Sequence, residues 1–234
     1  MYLVEGNVGA GKSTLLSLIT KNLPHMEVVF ENVNSWDRNE YGKSLLTQFY
    51  QDTPRWSYTM ETYTMLTRIK EHLREQAHQN PFKIIERSLF SGHYCFAKNG
   101  YLQGCMDETE WKLYSDWFSF LVEQYCQAPD GFIYLQADPK ECQARAQKRN
   151  RSSEERITLA YFEQIHEQHE VFLIKKQGIS PFLKDIPVLV LDATHNFELS
   201  QELTAEYLER INDFILITQA AKRAKPTITP NLRS

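Results

Sequence analysis

The sequence predicts an α/β fold, a five-stranded parallel sheet with helices on both faces, and three observations point to it. Five short β-rich runs, Tyr2 to Glu5, Glu27 to Phe30, Phe82 to Glu86, Gly131 to Gln136 and Pro187 to Leu191, are separated mostly by longer stretches of helical periodicity. Strands spaced this way need crossover connections, which parallel pairing uses and tight hairpins do not. The 234 residues include 42% hydrophobic and 24% charged side chains, enough core for one large domain and too apolar for a disordered chain. Glycine is scarce at nine, yet three of the nine fall between Gly6 and Gly11, directly after the first strand.

That first strand leads into Gly6, Asn7, Val8, Gly9, Ala10, Gly11, Lys12, Ser13 and Thr14, a complete GxxxxGK[ST], followed by the helical apolar pattern Leu15, Leu16, Leu18, Ile19. Strand, loop and helix stand in the order a phosphate-binding loop requires. Glycines let backbone N–H groups and a helix N-terminus curl around a polyphosphate. Lys12 is then placed for the β and γ oxygens, and the Ser13 hydroxyl for Mg²⁺. The loop predicts binding of a nucleoside triphosphate.

The second and third strands each end in a carboxylate, Glu31 after Val28-Val29-Phe30 and Glu86 after Ile84-Ile85, with Arg87 next. In an open parallel sheet ligands bind beyond the carboxyl ends of the strands, so both positions suit chemistry better than packing. Between the third and fourth strands, Trp111, Tyr114, Trp117, Phe118, Leu121 and Tyr125 follow helical spacing behind a cap at Asp107 and Glu110, which predicts a helix for the core or a subunit contact. After the fourth strand come Arg145, Lys148, Arg149 and Arg151. Arg145 and Arg149 are four apart and share one helical face, as a lid over ATP phosphates would need. The fifth strand closes a domain expected over 1–220, with the lid at about 145–156 and a basic tail over 221–234.

A net charge of −4 and a pI near 6.0 exclude a broadly basic surface for nucleic acid. There is no apolar run long enough to span a membrane, and Met1 leads straight into a strand rather than a signal peptide. Four cysteines without a CxxC pair suggest neither a zinc ribbon nor a disulfide framework, so a cytoplasmic setting is expected.

With these residues in view, the chain resembles the deoxyribonucleoside kinase family, most closely its deoxycytidine and deoxyguanosine kinase branch. The markers run from Leu3 to about Phe214: GNVGAGKST at 6–14, the Glu31 segment with Trp36, RWSYTMETY at 55–63, ERSLFS at 86–91, ETEWKLYSDW at 108–117, YLQADP at 134–139 and the arginine-rich lid. The resemblance implies the P-loop kinase fold, a homodimer, and transfer of the ATP γ-phosphoryl group to a deoxynucleoside 5′-hydroxyl. By the same resemblance Glu31 is the general base, Arg87 holds the hydroxyl and the incoming phosphoryl group, and Glu86 is the magnesium-associated carboxylate. Tyr50 and Glu154 match contacts to the sugar 3′-hydroxyl, while Trp36, Met60 and Phe96 match the walls of the base pocket.

Three positions depart from that pattern. Met60 stands where relatives often have an aromatic side chain. Glu61 stands where they have a glutamine, and Gly92 where they have an aspartate; Arg68 is retained. One carboxylate has in effect changed sides, expected to lie near Arg68, seven residues from Glu61 along a helix. An ionised carboxylate only accepts hydrogen bonds, and guanine alone offers two adjacent donors, N1–H and the N2 amino group, so a purine preference with deoxyguanosine first is expected, the alternative being a deoxycytidine and deoxyadenosine kinase or one of broad specificity.

A nucleoside monophosphate kinase would share the loop and the lid but would need cations where Tyr50 and Glu61 stand. A nucleotide sensor without catalysis is opposed by intact Lys12, Glu31 and Arg87. His166 and His169 lack a third metal ligand and read as a solvated helix face. His93, where relatives often have arginine, has no role assigned by the sequence.

Overall fold

Side chains on both faces of β1, β3 and β4 are buried, and this places the sheet at the centre of the molecule. The computed structural model describes residues 1–32, 36, 44–78, 80–151 and 157–224. Its strands are β1 (Tyr2–Glu5), β2 (Glu27–Val29), β3 (Lys83–Glu86), β4 (Gly131–Gln136) and β5 (Val188–Asp192). They pair in parallel in the order β2-β3-β1-β4-β5. Tyr2, Val4, Ile84, Ile133 and Leu135 pack on one face with Leu15, Leu16, Ile19, Ile211 and Ile215. Leu3, Ile85, Phe132 and Tyr134 pack on the other with Phe90, Phe118 and Phe172. Each such side chain, fully buried, stabilises the fold by about 1.5–3 kcal/mol before entropy is counted.

The helices that position the site are α1 (Lys12–Asn22), α2 (Leu45–Gln51), α3 (Thr53–Ala77), α4 (Glu108–Tyr125), α5 (Pro139–Arg149), α6 (Leu159–His169) and α7 (Gln201–Ala224). The expected strand limits shift by a residue: Phe30, Phe82 and Pro187 lie outside their strands, and Asp192 extends the fifth. Helix α7 continues four residues into the segment expected as a tail, because its buried face of Tyr207, Ile211, Ile215 and Gln219 carries it past 220; residues 225–234 lie outside the described residues.

The cap predicted ahead of α4 is a full capping box: Glu110 N–H donates to Asp107 Oδ1 at 2.8 Å, and Asp107 N–H to Glu110 Oε2 at 3.1 Å. The aromatic stripe divides. Tyr114, Phe118 and Val122 point inward, while Leu113, Trp117 and Phe120 are about half exposed. His93 explains part of the inward face. It lies parallel to Phe118 with ring centroids 3.9 Å apart, and burial lowers its pKa to about 3, so it packs as a neutral ring. His169 is a correction to the solvated-face reading. It is fully buried, its Nδ1 lies 2.7 Å from the Ile165 carbonyl, and its ring stacks on Tyr134.

Phe118→Ala removes the ring that covers both Tyr94 and His93. It is expected to cost about 3–5 kcal/mol, read as a lower urea midpoint with little change in slope.

Candidate active site

Strand order decides what meets the phosphate loop. With β1 beside β3 and β3 beside β2, the residues leaving three adjacent strands, Gly6, Glu86 and Glu31, open onto one crevice. A cleft of about 680 Å³ lies there, large enough for two small-molecule substrates.

The loop takes the backbone form its glycines permit. Gly9 has φ +76, and a Cβ there would lie 2.2 Å from the Cys142 carbonyl oxygen. Gly11 has φ +97 and begins α1 with no side chain to cap the first turn, leaving a helix N-terminus presented to an anion. Asn7 ties the loop to α6 by donating to the Phe162 carbonyl at 2.8 Å. Lys12 folds back to donate to the Gly6 and Asn7 carbonyls at 3.0 and 2.8 Å. Burial first, and then the Arg87 cation, bring its pKa down to about 7.

Two linked carboxylates sit beside the loop. Ser13 Oγ donates to Glu86 Oε1 at 2.6 Å, and the Glu31 N–H donates to Glu86 Oε2 at 3.2 Å. The Glu31 side chain is held by two guanidinium groups: Arg68 Nη2 to Oε1 at 2.8 Å and Arg87 Nε to Oε2 at 3.2 Å. Burial alone would raise its pKa, but Arg87 and Arg68 outweigh it and keep the carboxyl below its ordinary value. Arg87 adopts φ +58, a left-handed conformation uncommon for a side-chain-bearing residue, while its N–H donates to the Val4 carbonyl at 2.8 Å. Its guanidinium lies 4.6 Å above the Phe96 ring, and among the described residues its Nη1 has no hydrogen-bond partner.

Most of the residues expected at the site line this one cleft. Val8, Gly9, Gly11, Lys12, Ser13 and Thr14 line the cleft, as do Glu31, Trp36, Tyr50, Met60, Glu61, Arg68, Glu86, Arg87, Phe96, Arg145, Arg149 and Arg151. Gly6, Asn7 and Ala10 are buried beneath the loop as supports. Gly92 is not on the cleft wall: a Cβ there would meet Arg68 Nη1 at 2.7 Å, so its lack of a side chain makes room for that arginine. Arg68 is accordingly turned to Glu31 rather than to Glu61, with its guanidinium 5.0 Å from the Trp36 ring centre. Arg145 also differs from the phosphate-clamp expectation. It donates to the Ala193 and Thr194 carbonyls, both at 2.7 Å, and so braces the turn after β5. Glu154 lies outside the described residues.

Tyr161 and Phe197 line the cleft and Glu5 is buried close to Arg87 and Lys12, yet none of these residues carries a motif in the sequence. Glu5 ends β1 as Glu86 ends β3, and it is fully buried close enough to Arg87 and Lys12 for their charges to act on it. Its place at a strand end is the signal that could have marked it. Tyr161 lines the cleft edge-on to Tyr50, with ring centroids 6.4 Å apart. Phe197 packs under Gly11 and lines the opposite end. No local pattern marks either aromatic residue.

A glycine-rich loop opening a helix, a parallel sheet ordered around it, and a carboxylate and arginine at the next strand end define a P-loop phosphotransferase. The deoxynucleoside kinase family model matches residues 2–216, and the chain belongs to that family. It is 37% identical to deoxycytidine kinase 2 of Gallus gallus, covering 91% of this chain and 89% of that protein. It is 34% identical to the mitochondrial deoxyguanosine kinase of Xenopus laevis over 91% and 88% of the two chains, and 38% identical to human mitochondrial thymidine kinase 2 over 89% and 76%. Among the described residues no helix is long and apolar enough to cross a membrane.

The contact between Gly92 and Arg68 makes a prediction. Gly92→Ala keeps an allowed helical backbone but displaces the Arg68 terminus, so it is expected to lower kcat/KM for a nucleoside about tenfold with less than about 1 kcal/mol lost in stability. Combined with Arg68→Gln, its effect on kcat/KM will be clearly less than additive, because both act through one side chain.

Proposed function

We propose that this protein transfers the γ-phosphoryl group of ATP to the 5′-hydroxyl of a deoxyribonucleoside, with deoxyguanosine favoured while Glu61 is ionised. The observation that carries the reading is the clamped Glu31: a carboxylate fixed by Arg68 and Arg87 at 2.8 and 3.2 Å, and joined through Glu86 to the Ser13 hydroxyl of the phosphate loop. One carboxylate thus faces the acceptor side and the other the phosphate side. Glu31 accepts the proton of the 5′-hydroxyl, and its depressed pKa keeps it ionised and ready. A weak base suffices, since phosphoryl transfer depends mostly on positioning and charge neutralisation, and the proton leaves late.

Arg87, whose Nη1 has no hydrogen-bond partner among the described residues, supplies a donor to the acceptor hydroxyl and the phosphoryl oxygens in flight. Lys12, Arg149 and Arg151 supply positive charge around the ATP phosphates, Glu154 and Tyr50 hold the sugar, and Trp36, Met60 and Phe96 enclose the base. The hard oxygen donors Ser13 and Glu86 fit Mg²⁺, which keeps most of its ligands as water and phosphate oxygen. Bound there, the ion would offset charge on the β and γ phosphates.

The half-exposed stripe on α4, Leu113, Trp117 and Phe120, lies on the helix packed beside α3, where Tyr63 and Leu66 are also exposed. We infer that this two-helix face is buried in a homodimer. The free thiols of all four cysteines suit a reducing, cytoplasmic compartment.

Incubation with ATP and the four deoxynucleosides tests the reaction: 5′-monophosphates support it, and turnover of monophosphates alone would overturn it. Glu31→Ala is expected to lower kcat by about 10²-fold or more. Wild-type kcat/KM at pH 8 is expected to rank deoxyguanosine first, and Glu61→Gln to erase that lead. Trp117→Glu is expected to halve the mass seen by sedimentation without unfolding the protein.

A further inference from the structure

Glu61 lies on α3 with its side chain inside the cleft, 6% exposed, and among the described residues no hydrogen bond or ion pair reaches its carboxyl group. A carboxyl group in such a place normally keeps a cation beside it. The nearest candidate, Arg68, is two turns along the same helix, but its Nη2 is committed to Glu31 at 2.8 Å, and the space opened by Gly92 holds it there. Arg87, at the end of β3, is likewise bound to Glu31. Among the described residues, ionisable groups around Glu61 also include Tyr114 on α4 and Tyr161 on α6, whose pKa values burial lifts well above ordinary, so both are neutral at physiological pH, and Tyr50 on α2, which lines the same cleft. On the stretch Gly92–Ala97, which packs against α3, His93 is neutral through burial and Cys95 is a buried thiol.

We propose that Glu61 is a protonation-dependent selector of the nucleobase, admitting guanine in both of its states and the other bases only as the acid. The inference rests on the kinase reading above. As a carboxylate, Glu61 offers two acceptors, which match guanine N1–H and N2–H and oppose a ring acceptor or a carbonyl on every other base. As an acid it offers one donor and one acceptor. That pair matches adenine at N1 and N6, cytosine at N3 and N4, thymine at O4 and N3–H, and guanine at O6 and N1–H. Burial first, only partly countered by Arg68 and Arg87, raises its pKa to about 7, so both states are populated near neutrality. The sign follows directly: raising pH through 7 converts acid to carboxylate and withdraws the donor that adenine, cytosine and thymine need.

The experiment is kcat/KM for deoxyguanosine and deoxyadenosine with saturating ATP from pH 6 to 8. Groups that serve both substrates, Lys12 and Glu31 among them, cancel in the ratio, and neither base titrates in this window. The guanosine-to-adenosine ratio is expected to rise about tenfold across it, following the loss of the acid form. In Glu61→Gln, whose amide always offers one donor and one acceptor, the ratio is expected to stay flat. As a second readout on the wild-type protein, deoxyadenosine binding at pH 8 should take up protons, seen by calorimetry in two buffers of different ionisation heat, and deoxyguanosine binding should not. Phosphorylation of both substrates with a constant ratio, or a rising ratio that survives in Glu61→Gln, overturns the selector while leaving the kinase reading standing. Phosphorylation of neither overturns both.

Discussion

The site depends on the pairing of Glu31 with two arginines that come from different parts of the chain. Arg68 arrives from the middle of α3 and Arg87 from the end of β3, and both guanidinium groups meet a single carboxylate between the sheet and the helical wall. A buried ion pair contributes little net stability once desolvation is counted, but removing one member leaves an uncompensated charge, commonly at a cost of about 3–5 kcal/mol. The triad therefore acts chiefly as a positioning device. It fixes Glu31 beside Glu86, it commits Arg68, and by committing Arg68 it leaves the Glu61 carboxyl without an ion pair among the described residues.

From that commitment the unusual residues of the pocket follow. Gly92 is explained by space, since any side chain there would strike the Arg68 terminus. Glu61 is set apart by having no ion-paired cation among the described residues. The expectation that one carboxylate had changed sides, keeping its charge near Arg68, is therefore only half of the physical picture. Arg68 is bound to Glu31 at 2.8 Å rather than to Glu61.

The range of each signal decides how much of the fold and the site is legible in the amino-acid sequence. The five strands, the loop and the capping box of α4 depend on neighbours a few residues apart, and all are legible. The carboxylates at the strand ends are legible too, because sheet topology converts a position along the chain into a position at the crevice. Arg145 is not: its i, i+4 partnership with Arg149 suggests a lid, but its contacts are carbonyls almost fifty residues away in the turn after β5. His169 reads as solvated for the same reason, since only the packing of α6 against β4 shows Tyr134 lying over it. Tyr161 and Phe197 carry no motif and become cleft walls only once their elements are placed.

The triad is best tested by following the Glu31 carboxyl carbon by ¹³C NMR as pH is lowered, in the wild type and in Arg68→Gln. The pairing predicts that Glu31 titrates below the ordinary glutamate range of about 4.3 in the wild type and moves upward when Arg68 is replaced. A Glu31 that titrates at or above the ordinary value, unchanged in Arg68→Gln, would contradict the claim that the two arginines hold it.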